Sequence, residues 1–138
     1  MQRYEFLEKA YQHYHIAEHL LTVTFPLAKD PKLLLGVLDN LAKAGEYLIN
    51  AVLSSKLDKY PEDFLSKLIL YRKYGTKADL LGKLHDLNVL HRTCPVEFRR
   101  GNTLVMCTNG YEMHTLSLAQ IKEYLAIVKE TIESNKKP

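Results

Sequence analysis

The strongest pattern of hydrophobic and polar positions lies between Pro31 and Leu57. Wound as a helix at about 100° per residue, this stretch gathers most of its apolar residues on one broad side. That side holds Leu34, Val37, Leu38, Leu41, Ala44, Gly45, Leu48, Val52 and Ser55, and Leu35, Ala42, Ile49 and Leu53 widen it. Surface helices have a narrower apolar stripe, so the pattern predicts a central helix packed on more than one side. Asp30 can cap it, and Pro31 suits its first turn.

Gly45 lies inside the apolar face of this predicted helix. A glycine in a helix costs about 1 kcal/mol relative to alanine, so its presence calls for a structural reason. A position without a side chain lets a neighbouring helix approach closely. We therefore expect another helix to pack against the central helix at Gly45.

Four further helices are predicted from apolar residues spaced three and four apart. They cover residues 3–25, 61–74, 76–93 and the stretch from 117 to the tail, and the last two begin with capping boxes at 76–79 and 117–120. Pro26 is expected to end the first helix, because proline lacks the N–H that a helix interior needs. In the helix over residues 61–74, the side chains expected to point inward are Phe64, Leu65, Leu68 and Tyr71.

The hydrophobic period changes after Pro95, where short apolar runs alternate with turn residues. Residues 96–100, 103–107 and 111–116 therefore predict short strands joined by turns. The fold class predicted for the chain is all-α, a single five-helix bundle-like domain with a small β-hairpin or meander between its last two helices. This domain spans residues 1–133, and residues 134–138 are expected to form a disordered tail.

Composition is typical of a soluble globular protein, with 138 residues, 46% hydrophobic and 25% charged. The net charge of +3 tolerates a polyanionic partner but is lower than that of strongly basic nucleic-acid binders. No apolar run reaches the length of a membrane span, and the N-terminus is too charged for a signal peptide. Cys94 and Cys107 form neither a disulfide framework nor a metal-ligand pattern. The sequence predicts a cytoplasmic protein without a membrane partner.

A narrow polar stripe interrupts the central helix at Asp39, Lys43, Glu46 and Asn50. These positions stack along one edge of the helix, because residues three and four apart are neighbours. One interpretation is a solvated face with an Asp39–Lys43 ion pair. In the other, Glu46 and Asn50 present two oxygen ligands to Mg²⁺, which prefers oxygen ligands completed by water. Both interpretations stay open from spacing alone.

Two segments resemble the ribonuclease III domain. Residues 46–53, EYLINAVL, are similar to its signature motif, and Glu46 falls on the second acid of that motif. Residues 78–82, ADLLG, are similar to its second motif, in which Asp79 falls on the acid. Together the two segments cover a small part of the chain.

The resemblance implies a ribonuclease III-like helical fold that binds RNA, and we expect the chain to form a homodimer. Two of the four carboxylates that hold metal in the family are replaced here, by Asn50 and Gly82. Glu46 and Asp79 would be remnants of the catalytic site, and Mg²⁺ could bind Glu46, Asn50 and Asp79. Because the acids generate and orient the nucleophile through the metal, their loss predicts RNA binding without full cleavage activity.

HEPN domains are a second family that the chain resembles, in size, in helix order and in a late loop before the final helix. Their ribonucleolytic members carry an Arg followed by a His, with four to six residues between them. No Arg of this sequence has a His at that distance. This resemblance therefore implies a non-catalytic helical homodimer or interaction module. A small-molecule-binding bundle is a third hypothesis, for which the sequence offers no polar constellation.

Candidate RNA contacts are Arg92, Arg99 and Arg100. Arginines contact phosphates, and the neighbouring aromatic residues Phe98 and Tyr111 could stack on bases. The alternative interpretation of Arg99 and Arg100 is an ordinary charged turn.

Residues 15–19, HIAEH, match the inverted zinc-protease motif. Two histidines one turn apart can hold Zn²⁺ while the glutamate acts as general base. However, the helical pattern places His15 and His19 on the flank, whereas Glu18 points toward the apolar face. We expect Glu18 either to bond a tyrosine hydroxyl there or to reach water at the edge of that face, and the alternative is a catalytic acid with a raised pKa.

Overall fold

The computed structural model describes residues 2–93, 96–100, 103–107 and 113–136, and of Pro31, Thr93, residues 96–100 and Cys107 it describes only the backbone. In chain order the elements are α1 (Arg3–His19), a π-helical segment (Leu20–Thr24), α2 (Phe25–Ala28), α3 (Pro31–Lys56), α4 (Phe64–Tyr71), α5 (Ala78–Thr93), β1 (Val96–Arg100), β2 (Thr103–Cys107), β3 (Met113–Ser117) and α6 (Leu118–Ser134). Counting α1 to α2 as one rod, the predicted five helices and the small β element before the last helix are confirmed.

The first rod continues through Pro26, so the prediction that this proline ends the helix is wrong. Backbone dihedrals stay helical from α1 through the π-helical segment into α2, and Lys29 then ends the rod with φ 53°. The ring of a proline clashes with the carbonyl four residues earlier in an α-helix. The Phe25 N–H donates to Leu20 five residues back, so the π turn immediately before Pro26 widens the helix where that clash would fall.

Helix α3 is the centre of the domain, and helices α1, α4, α5 and α6 all contact it. This confirms that it packs on more than one side, although Ser55, placed on the buried face by the pattern, is exposed. Gly45 is buried against α5, where an added Cβ would lie 3.1 Å from Leu81 Cδ2. The close approach predicted at Gly45 is therefore confirmed, and α5 is the helix that makes it.

Helix α4 is shorter than predicted and is rotated differently. It begins at Phe64 after the Asp63 carboxylate caps the Ser66 N–H, and it ends at Tyr71. The prediction that Leu65 points inward is wrong, because Leu65 is 66% exposed while Lys67 is only 7% exposed. The inward side of this two-turn helix combines a lysine with Leu68 and Tyr71, and hydrophobicity alone does not predict that arrangement.

Helix α5 begins at Ala78, and Lys77 before it adopts a left-handed φ of 64°. The predicted capping box over 76–79 therefore starts one residue too early. The carboxylate of Asp79 instead meets Arg72 Nη1 at 2.7 Å.

The three strands form an antiparallel meander in the order β1-β2-β3. Its buried side chains include Leu104, Met106 and Leu116, and of these Leu104 and Leu116 belong to the same hydrophobic core as the helices. At the β3–α6 junction, Ser117 Oγ accepts from the Gln120 N–H while the Gln120 side chain accepts from the Ser117 N–H. The capping box predicted there is confirmed.

Helix α6 includes Ser134, the residue at which the predicted tail begins. Beyond it, the Asn135 carbonyl accepts from Arg3 at 2.5 Å, and Lys136 Nζ lies 3.7 Å from the centre of the Tyr11 ring. Residues 137 and 138 fall outside the described part of the chain, so disorder of the tail stays a prediction. None of the described helices is both long and apolar enough to cross a membrane.

Candidate functional site

The polar stripe of α3 lies at two neighbouring cavities. The first cavity, about 450 Å³, is lined by His13, Lys43, Glu46, Tyr47 and Asn50. The second cavity, about 660 Å³, is lined by Phe6, Asn50, Asp58, Lys59, Tyr60, Pro61, Glu62 and Lys67. Both volumes fall within the range of about 300–1,000 Å³ typical of ligand pockets. We call the first cavity, the second cavity and Asp39 together the α3 polar surface.

Asp39 joins α3 to α5 at one end of this surface. Its carboxylate lies 3.0 Å from Lys43 Nζ, which confirms the predicted ion pair, and 3.1 Å from Arg92 Nη2. It also accepts from the buried Asn88 amide at 3.2 Å. Burial by itself raises the pKa of Asp39, but the hydrogen bonds from Lys43, Arg92 and Asn88 outweigh it and leave the pKa below its usual range.

Glu46 has a looser environment. Its nearest cation is Lys67 of α4, with 3.8 Å between Nζ and Oε1. This distance exceeds that of a hydrogen bond, for which N···O lies at about 2.7–3.2 Å. The Lys67 side chain is almost buried, whereas that of Glu46 is 44% exposed. A lysine of α4 therefore provides a buried positive charge between the two cavities.

His13 and Tyr47 form an aromatic pair at the first cavity. Their rings are stacked, with centroids 5.5 Å apart and an interplanar angle of 11°. Asn40 fixes the histidine: its Nδ2 donates to the Gly36 carbonyl, so its Oδ1 accepts from His13 Nδ1 at 3.0 Å. His13 therefore carries its proton on Nδ1. Lys9 Nζ lies 6.0 Å from the centre of the Tyr47 ring, within reach of a cation–π interaction.

Asn50 separates the two cavities and lines both. Its Oδ1 atom is buried and, among the described residues, has no hydrogen-bond partner. A buried acceptor without a partner costs about 1–3 kcal/mol. Because Oδ1 is shielded from both cavities, a ligand would remove that cost only if the Asn50 amide turned toward it.

The α3 polar surface and its rim carry charges of both signs. The cations are Lys43, Lys59 and Lys67, with Lys9 and Arg92 at the rim, and the carboxylates are Asp39, Glu46, Asp58 and Glu62. Five cations against four carboxylates leave a net charge of +1, with no charge counted on His13. Because Asp58 and Glu62 line the second cavity, the first cavity, with Lys43 in its lining and Lys9 and Lys67 beside it, is the part that favours an anionic ligand.

Of the three predicted metal ligands, two lie at the same cavity and the third lies elsewhere. Glu46 and Asn50 line the first cavity together, whereas the Asp79 side chain is 91% exposed and forms an ion pair with Arg72. Within the described part of the chain, no group of three or more His, Cys, Asp or Glu side chains is placed to hold a metal ion. Binding of Mg²⁺ by Glu46, Asn50 and Asp79 stays a prediction.

The histidine pair of α1 belongs to a separate network. Glu18 accepts a hydrogen bond of 2.6 Å from the Tyr14 hydroxyl, which confirms the predicted tyrosine partner, and lies 3.8 Å from His15 Nδ1. His19 Nδ1 lies 3.4 Å from the Thr24 hydroxyl. Burial, followed by the bond to Glu18, raises the pKa of the Tyr14 hydroxyl above its usual range. Glu18 therefore acts as a structural acceptor.

The structure describes the three predicted RNA contacts to different extents. Arg92 is half exposed and lies on the α3 polar surface, paired with Asp39. Arg99 and Arg100 are in β1, opposite Leu104 and Thr103, but their side chains lie outside the description, as do Cys94 and Tyr111. Contacts from Arg99 and Arg100 to RNA stay a prediction.

Comparison with models of protein families, with curated proteins and with solved structures found no significant match. The similarities to ribonuclease III and HEPN domains therefore remain resemblances of short motifs and of helix order.

Proposed function

We propose that the protein binds RNA at the α3 polar surface and does not cleave it efficiently. The observation that carries the proposal is the stacked His13–Tyr47 pair at the first cavity, which has Lys43 in its lining and Lys9 and the buried Lys67 beside it. The proposal keeps the ligand that the ribonuclease III resemblance implies, and it places the binding surface on the same helix as the resembling motif.

The chemistry of the surface fits a nucleic acid. Lysines and arginines contact phosphates, and most protein–nucleic acid hydrogen bonds go to the backbone. The His13–Tyr47 pair offers a platform for a base, and stacking of a base on an aromatic side chain contributes about 1–3 kcal/mol. The first cavity, at about 450 Å³, is large enough for such a group.

Binding is proposed to be independent of divalent metal. Lys67 lies beside Glu46, and Arg72 lies beside Asp79. A cation beside a carboxylate opposes the binding of a second cation, and the acids that would complete a ribonuclease III site are replaced by Asn50 and Gly82. The remaining carboxylates then balance the charge of lysine and arginine side chains.

The test is binding of a short fluorescent RNA to the purified protein, measured by anisotropy at 50 and 200 mM salt, with EDTA or with Mg²⁺. We expect affinity to fall steeply with salt, because phosphate contacts release counterions, and to be unchanged by EDTA. Lys43→Ala should weaken binding about tenfold, whereas Lys129→Ala, an exposed lysine of α6, is the matched control.

Two outcomes would overturn the proposal. Absence of binding at 50 mM salt would exclude RNA as the ligand. Binding that requires Mg²⁺, or RNA cleavage that stops on Glu46→Ala, would instead favour an active metal site.

A second candidate function is the homodimer or interaction module. Leu65 and Ile69 lie one turn apart on α4 and are 66% and 63% exposed. Exposed apolar side chains grouped on one face are typical of protein interfaces. Sedimentation equilibrium discriminates this function: a dimer that dissociates in Leu65→Asp, without RNA affinity in the wild type, would favour it.

A further inference from the structure

The ion pair between Glu46 and Lys67 lies where the two cavities meet. Glu46 lines the first cavity, Lys67 lines the second, and Asn50 lines both. The three side chains therefore form the partition between the two volumes. Any ligand that extends from one cavity to the other has to displace or replace the contact between Glu46 and Lys67.

Lys67 and Glu46 differ in how strongly their surroundings restrict their side chains. Lys67 is 7% exposed, on the inward side of α4 with the buried Leu68 and Tyr71. Glu46 is partly exposed at the edge of α3, where its side chain can turn toward solvent. At 3.8 Å the carboxylate does not hydrogen-bond the ammonium, although a buried charge needs strong partners. The lysine is fixed, and the carboxylate is the replaceable partner.

A phosphate oxygen is a stronger partner for Lys67 than the carboxylate in this position. A charge-assisted bond from an ammonium has an optimal N···O distance of about 2.7–2.9 Å, which the present pair does not reach. Lys43, on the same helix edge as Glu46, adds a second cation at the first cavity. An anion entering between the cavities would thus meet Lys67 and Lys43, and would repel Glu46. In the second cavity it would also pass Asp58 and Glu62, whose charges Lys59 offsets in part.

Asn50 is the residue through which the site would distinguish RNA from DNA. Its Oδ1 is buried and has no hydrogen-bond partner in the described part of the chain. Turning the amide toward either cavity would let it accept a hydrogen bond from a ligand. A ribose 2′-hydroxyl next to a phosphodiester can donate that bond, whereas deoxyribose lacks the group.

We propose that a phosphodiester of single-stranded RNA binds Lys67 in place of Glu46, with the adjacent 2′-hydroxyl donating to Asn50. Glu46 is then an internal competitor for the ligand. The exchange joins the first and second cavities into one groove, which accommodates consecutive nucleotides of an unpaired strand. This inference rests on the proposed RNA-binding function and specifies its ligand and its control.

The exchange and a metal site predict opposite changes in RNA affinity for the Glu46→Gln variant. If Glu46 held Mg²⁺ for the RNA, Glu46→Gln would weaken binding. If Glu46 competes with phosphate, the same substitution removes the competing charge while keeping the size of the side chain. We expect Glu46→Gln to bind RNA about fivefold more tightly than the wild type at low salt.

The experiment measures the affinity of labelled octauridine and of the matching oligodeoxyuridine at 50 mM salt in EDTA. The proteins are the wild type, Glu46→Gln, Lys67→Met and Asn50→Ala, with Glu130→Gln on an exposed position of α6 as the matched carboxylate control. Lys67→Met keeps an unbranched side chain in the buried position and should lose at least tenfold in affinity. Asn50→Ala should bind RNA and DNA alike, and circular dichroism checks that each variant is folded.

The outcomes separate this inference from the proposed function. Tighter binding by Glu46→Gln, together with loss of the RNA preference in Asn50→Ala, supports the exchange. Wild-type RNA binding that is unchanged or weakened by Glu46→Gln overturns the exchange and leaves the proposed function standing. If neither the wild type nor Glu46→Gln binds octauridine, the exchange is wrong, and wild-type binding of duplex RNA then decides the proposed function alone. If Lys67→Met does not fold, the RNA affinity of Glu46→Gln still decides whether Glu46 competes with phosphate.

Discussion

Asp39 and Glu46 are carboxylates on the same edge of α3, and the structure holds them in opposite ways. Asp39 is contacted by Lys43, Arg92 and the buried amide of Asn88, all within 3.2 Å. Among the described residues, Glu46 pairs with one lysine, at 3.8 Å. One polar stripe therefore contains a structural junction at Asp39 and a replaceable contact at Glu46. Sequence spacing treats the two positions as equivalent.

We expect the largest loss of stability when α5 is forced away from α3. Gly45→Leu places a bulky side chain where Leu81 Cδ2 lies 3.1 Å from the position of a Cβ atom. Overpacking of this kind lowers the free energy of unfolding by about 1–3 kcal/mol. We expect a loss near the upper limit of that range, because the Gly45–Leu81 contact lies in the buried core. Urea unfolding measures the loss.

Gly45→Ala is the control for that substitution. Its Cβ requires only a small adjustment at the end of the flexible Leu81 side chain, and alanine gains about 1 kcal/mol in helix propensity. We expect a net change within about 1 kcal/mol. An equal loss in both variants would show that the helices cannot adjust at all at this contact.

The second largest loss of stability is expected when the Asp39 junction is removed. Asp39→Asn removes the charge that pairs with Lys43 and Arg92. Hydrogen bonds to charged groups contribute about 1.5–3 kcal/mol, and partial exposure of this group reduces that value, so we expect a loss of about 1–2 kcal/mol at pH 7. Thermal or urea unfolding of the two proteins tests it. A loss below about 0.3 kcal/mol would mean that Asp39 is no better held than Glu46.

The third effect is the pH dependence of that loss. Asp39 has a pKa lowered from 3.8 in the folded state, so its contribution is present above the unfolded pKa and disappears as pH falls through the folded pKa. The difference in stability between wild type and Asp39→Asn should therefore be full at pH 6 and should shrink below about pH 4. Unfolding of both proteins at pH 3, 4 and 6 measures it. A difference that stays constant would exclude the charge of Asp39 as its cause.

The sequence is sufficient to predict the features that depend on one helix. The buried side of α3, the contact at Gly45 and the capping box at Ser117 all follow from spacing within a few turns, and the structure has each of them. The pairing of Asp39 with Lys43 is of the same kind, because the two residues are one turn apart. Local periodicity and local hydrogen bonding determine these features.

The cavities could not be predicted in this way. His13 and Lys67 reach the stripe from α1 and α4, so their positions depend on how three helices cross. The sequence pattern predicts that Lys67, between Ser66 and Leu68, is exposed to solvent. It is buried because this two-turn helix is rotated so that Leu65 is exposed instead. One available signal was the position of Lys67, one turn before Tyr71 on the inward side.

The smallest expected effect is that of Glu46 on stability. Glu46→Gln removes a contact of 3.8 Å between Lys67 and a carboxylate that is 44% exposed, which is longer than a hydrogen bond, and ion pairs open to solvent on one side contribute about 0–1 kcal/mol. We expect a change of less than about 0.5 kcal/mol in urea unfolding, smaller than that of Asp39→Asn by at least a factor of two. A loss of 2 kcal/mol would instead mean that Lys67 depends on Glu46 to remain buried. Glu46 would then be a structural partner that a phosphate could not displace without unfolding the edge of α4.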